Sequence, residues 1–383
     1  LSFAGVLSFP ASAHASDAPL SVAPSNAVPS KAVPLIAEPR LASVWRTRLH
    51  KLAALAWQPR NAAKPVQIDR KRVLFAAANG VHVLRADTGV VQWHHKTTEA
   101  VAGAPLLLGA HVFFVTAEGR VTALELADAQ PKWKKSTELA AVVHAGLSTD
   151  GKRLFAMADP GIVTALSAAS GKILWRHGRT IAREFLVEGH GSAIAHAGVV
   201  YAGLANGKLV ALAARDGATV WEVALNKRGD GPYVDVDTTP IVGAVGGVSA
   251  LFVTSHQGGL RALRATNGGS LWHYPAVGLG QPELQGGQLA VVASSGAVHV
   301  VSQATGKRLM ARKLLGSPAG TVARLGRWLL VPDAAGMQIV DGRTGHTVAS
   351  VVDEYGFSAA PLVLGDAVFA IANNGIAWRL TLR

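Results

Sequence analysis

The sequence predicts an all-β fold, an eight-bladed β-propeller built from four-stranded antiparallel blades. Three observations support this prediction: short apolar runs between glycine turns, a block that recurs every 38 to 51 residues, and an incomplete block at each end of the repeat region. The chain has 383 residues, of which 49% are hydrophobic, 16% are charged and 41 are glycine. Such a composition allows a large core that is interrupted by many turns.

The recurring block is recognised by a tryptophan and by the residues at fixed distances before it. An apolar residue stands nine positions earlier, and glycine, or alanine in one block, stands four positions earlier. These tryptophans are Trp93, Trp133, Trp175, Trp221 and Trp272. Two further blocks keep the same offsets with Met310 and Ala349 in the tryptophan position. Self-similarity at this period predicts a repeat architecture, and the period fits one propeller blade.

Each block is interpreted as four short strands joined by tight turns. The run 207–214 (GKLVALAA) is β-prone, and Glu118-Gly119 and Asn206-Gly207 are turn pairs between two strands. The glycine before each tryptophan marks the next turn, because glycine takes a positive φ at little cost. The tryptophan then falls on the fourth, outer strand.

We interpret the repeated tryptophans as structural. A residue that occupies the same place in every blade is a feature of the fold, and a large aromatic ring fits between adjacent blades. The alternative is a box of tryptophans that stacks on a ligand. Trp45 belongs to the same set, since residues 41–49 (LASVWRTRL) resemble an isolated outer strand.

The ends of the chain predict how the ring closes. The last block contains Gly375 and Leu380 but stops at Arg383, before its tryptophan strand. Residues 41–49 supply such a strand with no partners before it. Seven complete blocks and one block shared between the two ends therefore give eight blades, and closure pairs edges that would otherwise be exposed.

The region before the first strand reads as a targeting segment and a linker. Residues 1–15 are apolar and end in Ala13-His14-Ala15, which fits the cleavage site of a signal peptide, so we expect a signal peptide remnant there. Residues 16–40 contain a proline at every fifth position from Pro19 to Pro39, which predicts an extended linker. The propeller is then expected over residues 41–383, in a protein exported to the periplasm.

Charge and cysteine content narrow the possible partners. The formal net charge is +13, which is typical either of a solvated basic surface or of a protein with an acidic partner. The densest lysine cluster, Lys132, Lys134 and Lys135, is too small for a nucleic-acid arm, so no nucleic acid is expected. The sequence has no cysteine, which excludes disulfides and thiolate metal sites within it.

The repeat resembles the tryptophan motif of quinoprotein-type propellers, seen in residues 86–93 (ADTGVVQW) and 168–175 (AASGKILW). Two families share that motif, the pyrroloquinoline-quinone (PQQ) dehydrogenases and the BamB-like outer-membrane assembly factors. The run 235–242 (DVDTTPIV) looks like the BamB signature at the start of a blade. The resemblance to the BamB family covers residues 41–383.

This resemblance implies a partner and a docking site. Members of the BamB family bind the periplasmic POTRA domains of BamA through a loop with paired aspartates and a neighbouring loop with an apolar-x-apolar-Arg run. Asp235 and Asp237 match the aspartates. The second loop falls at Phe185, Leu186, Val187 and Glu188, where Glu188, or Gly189 after a shift of one residue, stands in place of the arginine. The alternative for the aspartates is a turn or capping role before Pro240.

The resemblance also implies a location. Typical members are lipid-anchored through a cysteine that this sequence lacks, so we expect a soluble, monomeric periplasmic form associated with the outer membrane through its partners.

Catalytic chemistry is not expected. A quinone dehydrogenase needs a calcium site, a catalytic aspartate and, in many members, a vicinal cysteine pair, which this sequence cannot form. His94 and His95 are neighbours on a predicted strand and should point to opposite faces, so they are not expected to share a metal. We therefore predict a scaffold without cofactor or metal. The alternatives are a degenerate quinoprotein that binds PQQ and a sensor propeller for another envelope component.

Overall fold

The computed structural model describes residues 39–51, 63–159, 161–178, 191–226 and 236–383. These residues form 32 strands and no helix, and therefore no helix that could cross a membrane. The strands assemble into eight sheets of four, in which neighbouring strands run antiparallel. The predicted eight-bladed β-propeller is confirmed. The signal peptide remnant of residues 1–15 and nearly all of the linker of residues 16–40 lie outside the described residues.

Strand β1 (Leu41–Arg48) precedes all the others and belongs to the last blade. Blades 1 and 2 consist of β2 (Val66–Gln67), β3 (Arg72–Ala77), β4 (Gly80–Arg85), β5 (Val91–Lys96), β6 (Leu106–Leu108), β7 (His111–Val115), β8 (Arg120–Glu125) and β9 (Thr137–Glu138). Blades 3 and 4 consist of β10 (Ser148–Thr149), β11 (Arg153–Ala158), β12 (Ile162–Ser167), β13 (Ile173–His177), β14 (Ile194–His196), β15 (Val199–Gly203), β16 (Lys208–Ala213) and β17 (Thr219–Ala224).

Blades 5 and 6 consist of β18 (Ile241–Val245), β19 (Val248–Ser255), β20 (Gly259–Arg264), β21 (Ser270–Tyr274), β22 (Glu283–Gln285), β23 (Gln288–Val292), β24 (Ala297–Ser302) and β25 (Arg308–Lys313). Blades 7 and 8 consist of β26 (Ala323–Leu325), β27 (Trp328–Asp333), β28 (Gly336–Asp341), β29 (Thr347–Val352), β30 (Leu362–Leu364), β31 (Ala367–Ile371) and β32 (Ile376–Leu382), with β1 as the fourth strand of blade 8.

The predicted closure of the ring is also confirmed. Strand β1 pairs antiparallel with β32, from Leu41 opposite Leu382 to Arg48 opposite Ile376. The pairing extends past the strand ends, because the backbones of Arg40 and Arg383 exchange two hydrogen bonds of 3.0 and 2.8 Å. The two ends of the described propeller are thus joined in one sheet, in which β1 covers the edge of β32.

The core lies between blades, because neighbouring residues on the buried middle strands point to opposite sides of a sheet. In blade 1, Leu74 packs with Phe114 of blade 2, and the next residue, Phe75, packs with Phe369 of blade 8. All four side chains are almost fully buried. Eight such clusters of buried residues hold neighbouring blades together.

The tryptophans of the repeat bridge consecutive blades. Each indole Nε1 donates a hydrogen bond of 2.9–3.2 Å to a backbone carbonyl of the following blade. The pairs are Trp45 with Ala86, Trp93 with Leu126, Trp133 with Ala168, Trp175 with Ala214, Trp221 with Ala265, and Trp272 with Gln303.

Blade 2 departs from the repeat. Its fourth strand, β9, has two residues, and Trp133 lies before it, so the prediction that every repeat tryptophan lies on the fourth strand is wrong here. Pro131 explains the short strand, because it has no N–H for the ladder and forms only an isolated bridge to Leu124. The turn residue four positions before Trp133 is Ala129, held at a φ of 60°, whereas the other four blocks that end in tryptophan have glycine there.

Candidate partner-docking site

The antiparallel order gives the propeller two different ends. The linkers between blades and the turns between second and third strands lie at one end, called here the linker end. The turns between first and second strands and between third and fourth strands lie at the opposite end. Asp237 lies at the linker end, in the segment that leads into β18 of blade 5.

Local packing fixes the segment around Asp237. Val236 is buried, and its backbone N–H donates to the Leu204 carbonyl at 3.3 Å. A Cβ on Gly203 would lie 2.5 Å from Val236 Cγ1, so the glycine makes room for this side chain. On the other side, the buried Thr238 hydroxyl lies 2.8 Å from the hydroxyl of Thr254. Asp237 is half-buried between these two anchored neighbours.

The adjacent residue, Thr239, joins the segment to the linkers on both sides. Gln281 of the next linker accepts from the Thr239 N–H at 2.8 Å and donates to the Thr239 carbonyl at 3.1 Å. The Thr239 hydroxyl accepts from the Ser192 N–H of the preceding linker at 2.8 Å. Three consecutive linkers are therefore connected through one threonine.

The same kind of contact continues around the linker end. The Ser192 hydroxyl donates to the Gly146 carbonyl at 3.0 Å, and the Gln281 N–H donates to the Gly320 carbonyl at 3.2 Å. Thr321 then donates to the carbonyl of Ser358, the linker of blade 8, at 3.1 Å. We call this chain of contacts among the linkers of blades 3 to 8 the linker ring. It fixes the backbone beside Asp237 before any partner binds.

Of the predicted docking residues, the structure describes only Asp237. Asp235 and residues 185–188 lie outside the described residues. Gly191, three positions after Glu188, does lie against the Asp237 segment, because its Cβ would be 3.1 Å from the Asp237 carbonyl carbon and 2.9 Å from that of Thr238. The two predicted loops thus have neighbouring attachment points on the propeller.

The titratable groups of the described residues do not form a metal centre. In the described ranges, no group of three histidine, aspartate or glutamate side chains could hold a metal ion. His94 stacks on His82 at 3.9 Å between ring centroids, while His95 packs on the other side of the sheet against Phe114 at 5.9 Å. The arrangement can therefore bind through shape, backbone groups and charge, and the described part of the chain offers no cluster for metal chemistry.

A comparison with models of protein families shows to which family this chain belongs. A family model described as outer membrane protein assembly factor BamB matches residues 35–177 and 136–312. The two matches together span more than half of the 383 residues. The chain belongs to the BamB family.

Curated members of the BamB family match at modest identity. BamB of Kangiella koreensis is 29% identical over 209 residues, which are 52% of this chain and 52% of that protein. BamB of Yersinia pestis is 24% identical over 319 residues, which are 79% of each chain. The chain thus spans about half the length of the first relative and most of the second.

Solved structures share the fold. BamB from Moraxella catarrhalis has a TM-score of 0.73 at 20% identity, over 89% of this chain and 100% of that one. A quinohemoprotein alcohol dehydrogenase from Comamonas testosteroni has a TM-score of 0.69 at 13% identity, over 89% of this chain and 76% of that one. Such low identities show a common propeller fold and nothing about activity.

Sequence reasoning missed the linker ring. Its members, such as Ser192, Thr239 and Gln281, are 42 to 47 positions apart and differ in type. The available signal was the run of small residues before most first strands, for example GHGSA (189–193) and PAGTV (318–322). Small side chains there allow the linkers to approach each other closely near the axis.

Proposed function

We propose that this BamB-family protein is a non-catalytic periplasmic scaffold for outer-membrane protein assembly, which docks the POTRA region of BamA at its linker end. Membership of the BamB family supports the assembly role. The observation that supports the linker end as the docking face is the linker ring, which presents Asp237 and the attachment of the 185–188 loop side by side on one braced surface.

The chemistry of docking follows from the residue types. Asp235 and Asp237 supply carboxylates, which suit an arginine or lysine of the partner. Phe185, Leu186 and Val187 are apolar, and Glu188 adds a further acidic group. An apolar centre with flanking charges is a common arrangement for a protein interface. Because the backbone is already braced, little ordering would oppose binding.

The proposed location follows from the same proposal. The signal peptide remnant in residues 1–15 directs the chain to the periplasm, and the linker of residues 16–40 separates it from the propeller. The monomeric propeller then reaches the outer membrane through its partner.

Calorimetric titration of the purified chain against the POTRA region of its cognate BamA tests this function. We expect saturable binding with one propeller per BamA. A titration without binding, under conditions in which the chain melts cooperatively, would rule out the family-level partner for this chain.

The fold likeness to quinohemoprotein alcohol dehydrogenases favours a second candidate, a propeller that binds PQQ. The residues do not fit it well, because no cluster of three metal-ligating side chains occurs in the described ranges. Incubation with PQQ and calcium, followed by dye reduction with alcohols, separates the candidates. We expect no turnover and no change in melting temperature.

A further inference from the structure

A shallow cleft of about 500 Å³, wide open to solvent, lies between blades 2 and 3 at the end opposite to the linker ring. It is lined by residues 135–137 of blade 2 and residues 170–173 of blade 3. The second group contains the turn between β12 and β13, which places the cleft at that end. The cleft is therefore remote from Asp237 and from the proposed BamA site.

The cleft concentrates positive charge without compensating acids. Lys135 and Lys172 line it, and Lys134 is exposed next to Lys135. None of the three forms a salt bridge with a carboxylate of the described chain. Lys132, closer to the core, lies 2.9 Å from the His111 ring.

Several arginines at this end are neutralised by turn aspartates. Five arginines lie 2.6–3.0 Å from a carboxylate on the same blade. The pairs are Arg72 with Asp69, Arg85 with Asp87, Arg153 with Asp150, Arg215 with Asp216, and Arg327 with Asp341. Lys71 and Lys307 at this end also lack such a partner among the described residues, but the cleft brings Lys135 and Lys172 together from two blades.

The irregular part of blade 2 presents these lysines on a fixed support. Trp133 is 5% exposed, donates to the Ala168 carbonyl at 3.2 Å, and packs against the Gly171 turn. Thr137 donates to the Gly171 carbonyl at 2.7 Å. The three residues between these two anchors, Lys134, Lys135 and Ser136, lie outside the regular ladder and are exposed. A local departure from the repeat that is firmly held is a mark of a functional position.

Apolar side chains stand beside the charges. Ile173 lines the cleft and is 37% exposed, and Leu174 next to it is 50% exposed. Lysines next to exposed aliphatic side chains are the combination that binds the headgroup region of a membrane: the ammonium groups meet phosphates and the aliphatic groups enter the boundary with the acyl chains.

We propose that the cleft lined by Lys135 and Lys172, together with the adjacent exposed Lys134, is an electrostatic docking site for the phosphate headgroups of an anionic lipid membrane. The hydroxyls of Ser136 and Ser170 at the cleft add hydrogen-bond donors for phosphate oxygens. The site lies at the end opposite to Asp237, so the propeller can contact a membrane and its protein partner at the same time. The proposal does not depend on which protein binds the linker ring.

Vesicle flotation tests the site. The full chain is mixed with vesicles of phosphatidylcholine alone or of phosphatidylcholine with phosphatidylglycerol, and the floated fraction is measured over a range of salt. We expect binding to the anionic vesicles only, and binding that weakens as salt rises. The variant Lys134→Gln/Lys135→Gln/Lys172→Gln should lower the partition coefficient by at least about tenfold.

The matched control, Lys71→Gln/Lys307→Gln/Lys313→Gln, removes the same charge from exposed positions on blades 1 and 6 and should keep nearly all binding. Lys172→Glu is a second variant in case the triple variant misfolds. Equal losses in the cleft and control variants would overturn the site, since they would indicate only net charge. Capture by soluble polyphosphate without vesicle binding would reassign the cleft to a polyanion and overturn the membrane proposal.

Discussion

At the residue scale, single glycines allow a tryptophan of one blade to pack closely against a turn of the next. Gly217 has a φ of 74°, and a Cβ there would lie 2.7 Å from Trp175 Cε3. The Trp175 indole is also tied to the Ala214 carbonyl at 3.1 Å. A side chain at position 217 would therefore meet both a strained left-handed backbone and an aromatic ring that has little freedom to move.

We expect Gly217→Ala to lower the free energy of unfolding by about 2–4 kcal/mol, the sum of left-handed strain and overpacking. The control is Gly365→Ala, at a φ of 63° with no atom within 4 Å of the added Cβ, which should cost only the strain, about 1 kcal/mol. Urea unfolding followed by tryptophan fluorescence compares the two. Equal losses would show that the ring contact does not matter.

We expect a histidine cluster at the junction of blades 8 and 1 to make stability depend on pH. His82 is buried and stacks on His94, and its Nε2 lies 2.9 Å from Asn79 Oδ1. Asn79 in turn donates to the Leu49 carbonyl at 3.1 Å, just after β1. Burial, with the nearby His94 and His50, lowers the pKa of His82 from 6.5 to about 3.

The sign of the pH effect follows from that lowered pKa. Between pH 6.5 and about pH 3 the unfolded chain binds a proton at His82 that the folded chain does not, so stability falls as the pH falls through this window. His82→Gln should flatten the dependence of melting temperature on pH, whereas His346→Gln, at an exposed histidine, should leave it unchanged. A slope that persists in His82→Gln would assign the effect to other groups.

At the scale of single elements, strand β1 makes two kinds of contact. It completes blade 8 through its ladder with β32, and it carries Trp45, which donates to the Ala86 carbonyl of blade 1 at 3.0 Å. The residues of β1 and their partners in β32 are more than 300 positions apart in the sequence. Losing this strand would expose the edge of β32 and remove one inter-blade bridge at once.

We expect deletion of residues 1–50 to cause aggregation or a large loss of thermal stability. The control deletion, residues 1–38, keeps β1 and the Arg40–Arg383 backbone bonds and should melt like the full chain. Scanning calorimetry and light scattering of both proteins check this. Identical melting of the two truncated chains would contradict the closure by β1.

Blade 2 shows where sequence patterns stop being sufficient at this scale. The offsets before Trp133 match the other blocks, and they place the indole between blades correctly. The offsets do not show that Pro131 interrupts the ladder. They reflect how side chains pack, whereas a strand is defined by its backbone hydrogen bonds, and proline removes one of these bonds without changing the packing pattern.

At the scale of the whole molecule, the fold could be predicted for two reasons. Seven blocks carry the same residue types at the same spacing, and the strand that the last block lacks is present at residues 41–49. The candidate site could not be worked out in the same way. Its bracing depends on contacts such as Thr239 with Gln281 and Ser192, which lie on different linkers and follow no fixed spacing. Only the assembled ring brings these residues together.

The two ends of the propeller therefore have different characters. The linker end presents Asp237 on a braced ring of backbone contacts, and the opposite end holds paired arginines and the unbalanced lysines of blades 2 and 3. Under the two proposals, the BamA site and the membrane site would lie at opposite ends of the propeller.

Calorimetric titration of Asp235→Ala/Asp237→Ala against the POTRA region of the cognate BamA tests the docking role of the linker end most directly. The control, Asp128→Ala/Asp366→Ala, removes two exposed carboxylates from the opposite end with the same change in charge. We predict a loss of about 2–5 kcal/mol in binding free energy for the first variant, with its melting temperature close to the parent, and parent-like binding for the control. Parent-like affinity in a folded Asp235→Ala/Asp237→Ala protein would contradict the assignment of the docking site.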